Sequence, residues 1–257
     1  MRLGVCCSPA DAATLPAGAV DFIEANVQSF LVPFEDESAF TPKADFAAAS
    51  PIPILSANCF LPASLKSTGP DLDPDRIEAY AASAFTRAAR IGMKIIVFGS
   101  GGSRQIPVGF PPEKAREQFL HLLARLGPLA AAHNVTLVVE PLNRADCNFI
   151  HTVAEGAALI HEVNHPHIRL LADFFHMLRN EEDPGTLRAA APVIAHTHVA
   201  EKANRTPPGT DGDDFRPFLT PLREAGYPGA LALECNFPNG LAADCPRALA
   251  SLRAQGA

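Results

Sequence analysis

The chain has no run of about 18 consecutive apolar residues, so no membrane-spanning helix is expected. Its opening, MRLGVCCSPAD, offers too short an apolar stretch before Asp11 for a signal peptide. Cysteine is scarce: there are six, none in a CxxC pair, and Cys6 and Cys7 are adjacent. No disulfide framework is implied, and reduced thiols in a cytoplasmic protein are expected. Basic clusters are missing too. The 21 lysines and arginines are scattered, the formal net charge is −7 and the pI is about 5.7, a poor balance for a nucleic-acid partner. Neither GxxxxGKS/T nor GxGxxG occurs. GSGGSRQIP (99–107) carries glycines that could bind an anion, yet a tight turn beside a substrate is the expected use.

What is present points to a large packed domain. Hydrophobic residues make up 47% of 257, ample for a core, and α/β barrels longer than about 200 residues fold as one unit. Proline, at 24, is about twice its usual share and should mark many element boundaries.

Short apolar runs rich in β-branched residues recur at 3–8, 22–27, 54–60, 94–100, 136–142, 168–175, 194–201 and 230–237. Each is nearly continuously apolar, as parallel strands buried on both faces should be. Segments with helical spacing separate them. In 111–134 a proline start, an early Glu113 and the stripe Phe119, Leu122, Leu123 and Leu126 predict a helix. In 73–92 Asp73 caps ahead of Pro74 and Gly92 stands at the end. With a last helical stretch at 241–254, the pattern fits a single (β/α)8 TIM barrel over residues 1–257. A doubly wound open sheet is the competing architecture.

Active groups of such a barrel sit at the C-terminal ends of its strands. Those ends hold Glu140 in VVEPLNR, Asp173 in LLADFFHM, His198 in AHTHVAE and Glu234 in LALECNF. Charged groups there are costly unless paired or bound to metal. Singly, each has an ordinary reading. Glu140 could pair with Arg144, Asp173 could cap the next turn, and His198, like His196, could be a satisfied strand residue. Jointly, from four consecutive strands, they converge on one point at the barrel mouth. Their oxygen and nitrogen donors suit Mn²⁺, or Mg²⁺ or Co²⁺, better than structural zinc. Arg104, in the loop after the fourth strand, is a candidate to grip a substrate phosphate or carboxylate, and Lys66 is a second. Cys59, Cys147 and Cys235 lie near strand ends without a basic partner and read as packing residues.

Through VVEPLNRADCNFIHT, LLADFFHM, HTHVAEKANRTPPG and LALEC the chain resembles the sugar phosphate isomerase/epimerase superfamily, with its xylose isomerase-like barrel. That superfamily includes ketose 3-epimerases and hydroxypyruvate isomerases. The resemblance is sharpest from strand five to strand eight. It implies that Glu140, Asp173, His198 and Glu234 are metal ligands, that His176 contacts a substrate carbonyl or hydroxyl, and that Arg205 binds a substrate oxygen. Relatives often form dimers or tetramers, so a homo-oligomer and a monomer are both open. Two departures fall around the substrate. HVAEKANR is one residue longer from histidine to arginine than the ketose epimerase pattern, and Asp146, a substrate-binding candidate, stands where glutamate is common.

The expected function is a divalent-metal-dependent isomerase or epimerase acting on a small ketose or hydroxy-carbonyl sugar. Glu140 and Glu234 would move a proton next to the carbonyl, through a metal-stabilised enediolate. A keto-polyol dehydratase begins with the same step. A multi-zinc DNA-repair endonuclease on this barrel needs histidines from the early strands, and the first here is His121, inside a predicted helix.

Overall fold

The computed structural model describes residues 1–16 and 18–257. Eight strands form: β1 (Arg2–Cys6), β2 (Phe22–Asn26), β3 (Ile54–Asn58), β4 (Ile95–Phe98), β5 (Thr136–Val139), β6 (Ile168–Asp173), β7 (Ile194–Val199) and β8 (Ala230–Leu233). Each pairs in parallel with its sequence neighbour, and β1 pairs with β8, so the sheet closes into a barrel in chain order. All eight expected runs are strands, and closure removes the open-sheet alternative.

Side chains alternate across a strand, so the two faces of the barrel can be read by counting in twos. Leu137, Val139, Leu170, Ala172, Leu231 and Leu233 pack outward in the main core against the helices. Val97, Val138 and Leu171 form a separate buried cluster, and Phe22, Ala230 and Ala232 another. These are the inward residues, the floor of the barrel. Phe22 fills space that only Gly4 leaves open, because a β-carbon at Gly4 would overlap its ring. One more step of two from the floor reaches Glu24, Gly99, Glu140, Asp173 and Glu234. A dry floor therefore carries a polar upper layer, the ordinary division of labour in this fold.

The outer helices follow their sequence signals. Pro112–Ala132 buries Phe119, Leu122, Leu123 and Leu126. Pro74–Arg90 starts on Asp73, whose carboxylate accepts from the Arg76 amide at 3.1 Å, and Gly92 follows with φ +80°. Leu241–Ala254 buries Cys245, Ala248, Leu249 and Leu252. No helix among the described residues is long and apolar enough to cross a membrane.

Candidate metal centre and substrate pocket

Glu140, Asp173, His198 and Glu234 each bring one donor atom into a group whose members lie within 4.8 Å of one another. His198 Nδ1 is 3.1 Å from Glu234 Oε2 and 3.3 Å from Glu140 Oε1. Asp173 serves two purposes. Its Oδ1 accepts from the Phe175 amide at 2.8 Å, capping the short helix Phe174–Arg179. Its Oδ2 is buried, faces the group and has no hydrogen-bond partner. The ordinary cap reading and the ligand reading thus hold for different oxygens of one carboxylate.

The residues fit a divalent cation. Burial raises the Asp173 pKa even though His176 and Arg205 pull it down. An orphaned buried carboxylate oxygen is expensive unless something positive satisfies it. Three buried carboxylates, Glu24, Glu140 and Asp173, and the part-buried Glu234 surround His198, with the permanent charge of Arg205 against two of them. Oxygen and imidazole donors are the set that Mn²⁺ and similar ions accept.

Glu234 is the most strongly held of these groups. Asn58 Nδ2 donates to Oε1 at 2.9 Å, and Arg205 Nη2 bonds Oε2. Burial opposes its ionisation, but His198 and Arg205 outweigh that and bring its pKa down to about 2. Arg205 also donates through Nε to the Glu234 carbonyl at 3.1 Å. Its guanidinium lies 4.7 Å from the centre of the Phe175 ring and 3.6 Å from Asp173 Oδ2. The extra residue between His198 and Arg205 does not carry the arginine away. Arg205 itself takes φ +54°, in a loop whose Glu201 accepts from the Gly209, Thr210, Asp211 and Gly212 amides.

His176 is buried beside the group, its Nε2 3.5 Å from Asp173 Oδ2. Its Nδ1 faces the backbone N–H of Asn143 at 3.2 Å and the Asn143 side-chain nitrogen at 2.8 Å. Those donors make Nδ1 the acceptor, leaving Nε2–H to face the site. Asp146 is half exposed and receives the same Asn143 amide at 2.7 Å, so it reaches His176 through Asn143.

Arg104 lies deeper than its place in a loop suggests. It ends the one-turn helix Gly101–Arg104, which folds it fully into the interior. Its Nη2 donates to the Glu140 carbonyl at 2.8 Å, while Nε and Nη1 have no partner. Through that bond it supports the end of β5. Lys66 likewise binds the Gly102 carbonyl at 2.8 Å. Glu140 has no ion pair with Arg144 among the described residues, and His121 lies on the outer surface.

Reading strand ends missed three residues. Glu24, buried in β2, accepts from His196 Nε2 at 2.6 Å and His198 Nε2 at 2.7 Å. A glutamate inside the apolar run FIEANV was the available signal. Asn58 and Asn143 carry no charge, so burial cost did not flag them.

A cavity of about 370 Å³ opens over this layer, lined by Cys6, Ser8, Asn26, Asn58, Arg205 and Glu234 among others. That is within the range of small-molecule sites. A wider groove of about 680 Å³ lies elsewhere, along Ile106, Phe110, Phe149 and Leu159, and takes in none of the four donor residues.

Fold and site together define a TIM barrel with a carboxylate–histidine centre at the mouth of its last four strands. The family model described as xylose isomerase-like TIM barrel matches residues 9–255, and the chain belongs to that family. D-psicose 3-epimerase of Agrobacterium fabrum is 33% identical over 101 residues, which are 39% of this chain and 35% of that protein. L-ribulose 3-epimerase of Mesorhizobium japonicum is 36% identical over 113 residues, 44% of this chain and 38% of that protein. The matched stretches thus span little more than a third of those relatives' length. The solved structure of D-allulose 3-epimerase from Methylomonas sp. has a TM-score of 0.82 at 21% identity, covering 99% of this chain and 98% of that one, a likeness of fold.

Proposed function

We propose that this protein is a divalent-metal-dependent sugar epimerase or isomerase that moves a proton next to the carbonyl of a small ketose. One observation carries the reading: Glu140, Asp173, His198 and Glu234 converge within 4.8 Å under a cavity lined by the arginine that holds Glu234. The ketose 3-epimerases among its relatives point the same way.

Glu140, Asp173, His198 and Glu234 would hold the ion, Mn²⁺ by donor chemistry, with Mg²⁺ or Co²⁺ as substitutes. Bound there, it supplies positive charge beside the substrate oxygens on which negative charge gathers. The chain's own residues account for the rest. Glu234 is held ionised and oriented by Asn58 and Arg205, the state a proton acceptor needs. Glu140 comes from a different strand and flanks His198 from another side, so it can return a proton where Glu234 removed one, or the reverse. Transfer back to the opposite face of the same carbon is epimerisation; transfer to the neighbouring carbon is aldose–ketose isomerisation. Arg205 and His176 Nε2–H are donors for substrate oxygens, and Asp146 sets His176 through Asn143.

Incubation of Mn²⁺-loaded protein in D₂O with a panel of ketoses tests this. Solvent deuterium at the carbon next to the carbonyl, in recovered or epimeric sugar, is the expected result. Loss of water with enone formation would replace the reading by a keto-polyol dehydratase. No exchange with any ketose under Mn²⁺, Co²⁺ or Mg²⁺ would overturn it.

A further inference from the structure

We propose that Glu24 is the positioning residue of the metal centre: it holds the proton of His198 on Nε2, so that Nδ1 is the atom presented to the ion. This rests on the reading of Glu140, Asp173, His198 and Glu234 as metal ligands.

Glu24 stands in the middle of β2, on the inward face, and its carboxylate is buried. Oε1 accepts from His198 Nε2 at 2.7 Å and from Cys6 Sγ at 3.3 Å. Oε2 accepts from His196 Nε2 at 2.6 Å and from Ser56 Oγ at 2.7 Å. A carboxylate offers about four acceptor positions, and here each meets a donor. An ionised carboxylate cannot donate, so the nitrogen of His198 that faces it must carry the hydrogen. The other nitrogen, Nδ1, points at the carboxylates of Glu140 and Glu234, so it is the one that can exchange its hydrogen for an ion held between them.

His196 acquires a role from the same geometry. It shares Glu24 with His198 and stands edge-on to it, with ring centres 5.1 Å apart. Its Nδ1 is buried without a partner and outside the donor group. It braces the carboxylate against rotation and is not itself a ligand. Cys6, Glu24 and His198 also lie close enough to hold a second ion. Placing one there would require His198 to give up its Nε2 hydrogen and Glu24 to release its short bonds, so a single ion is the inference.

Carboxylate partners behind a ligating histidine commonly raise metal affinity by about 10- to 100-fold. Two measurements on the full-length protein decide the matter. In Zn²⁺-loaded wild type, which is diamagnetic, long-range ¹H–¹⁵N spectra of His198 should show Nε2 protonated and Nδ1 carrying the ion. Zinc on Nε2, or hydrogen on Nδ1, overturns the inference without any variant. Calorimetric titration with Mn²⁺ should give one equivalent for wild type and a dissociation constant about 10- to 100-fold weaker for Glu24→Gln. His196→Asn, which removes the brace but not the contact, should weaken binding by less. Wild-type affinity in a folded Glu24→Gln protein, or two tight equivalents in wild type, overturns the inference while the metal centre stands. Absence of any Mn²⁺ binding by wild type overturns the metal centre and the inference with it.

Discussion

Arg205 grips Glu234 twice, through Nε to its backbone carbonyl at 3.1 Å and through Nη2 to its carboxylate. The Asn236 amide returns a bond to the Arg205 carbonyl at 2.7 Å, so the loop after β7 is laced to the end of β8. A planar fork can make both side-chain contacts while resting on the Phe175 ring; an ammonium cannot. Arg205→Lys should therefore keep the barrel and its metal while turnover of the accepted ketose falls about 10- to 100-fold. Steady-state kinetics beside a Mn²⁺ titration checks this. Unchanged turnover would remove Arg205 from the working site.

Glu140 and Glu234 differ in their surroundings, yet each should be indispensable. Glu140→Gln and Glu234→Gln preserve shape and remove the proton-carrying oxygen, so deuterium exchange from solvent should drop by about 10²–10⁴-fold in each. Melting temperature and circular dichroism separate this from unfolding. If either variant exchanges at the wild-type rate, the two-carboxylate scheme fails.

The four converging donors were legible because each is a titratable group at the end of a near-continuous apolar run, where burial without a partner is too costly. Their spacing along the chain also revealed the barrel. Glu24 was obscured because its partners, His196 and His198, are more than 170 residues away. Only the closed sheet shows that β2 and β7 share an interior. The burial of Arg104 was hidden for the converse reason. A cation after glycines looks like a ligand grip in one dimension, but Ser100 takes φ +39° and the single helical turn drives the guanidinium inward. Asn58 and Asn143 are neutral amides, whose burial leaves little trace in composition.

Gly99 stands next to Glu140 across the β4–β5 pair, and a β-carbon there would overlap Oε2 of that carboxylate. The obstacle is the end of a side chain, so the fold can yield; the ligand position cannot. Gly99→Ala should leave the melting temperature within the small range of mild substitutions while weakening Mn²⁺ binding. Calorimetric titration measures the second effect. Equal affinity would show that Glu140 adjusts without cost.

Glu182 lies outside the site and sets a pH dependence of its own. Oε1 accepts from the Val153 amide at 2.8 Å, at the start of the helix Val153–Val163, while Oε2 is buried without a partner. Burial raises its pKa from 4.5 to about 7, against the pull of the Val153 and Thr186 hydrogen bonds. Between those values the folded chain holds a proton that the unfolded chain has released. Stability from this group therefore falls as pH rises from 4.5 towards 7 and is level above that range. Glu182→Gln keeps an acceptor for Val153 and cannot ionise. It should melt higher than wild type at pH 8, and the two should converge near pH 4, where the glutamate is protonated in both states. Thermal melts across this range decide it. A constant difference between the two proteins at every pH would mean that folding leaves the carboxyl's pKa unshifted.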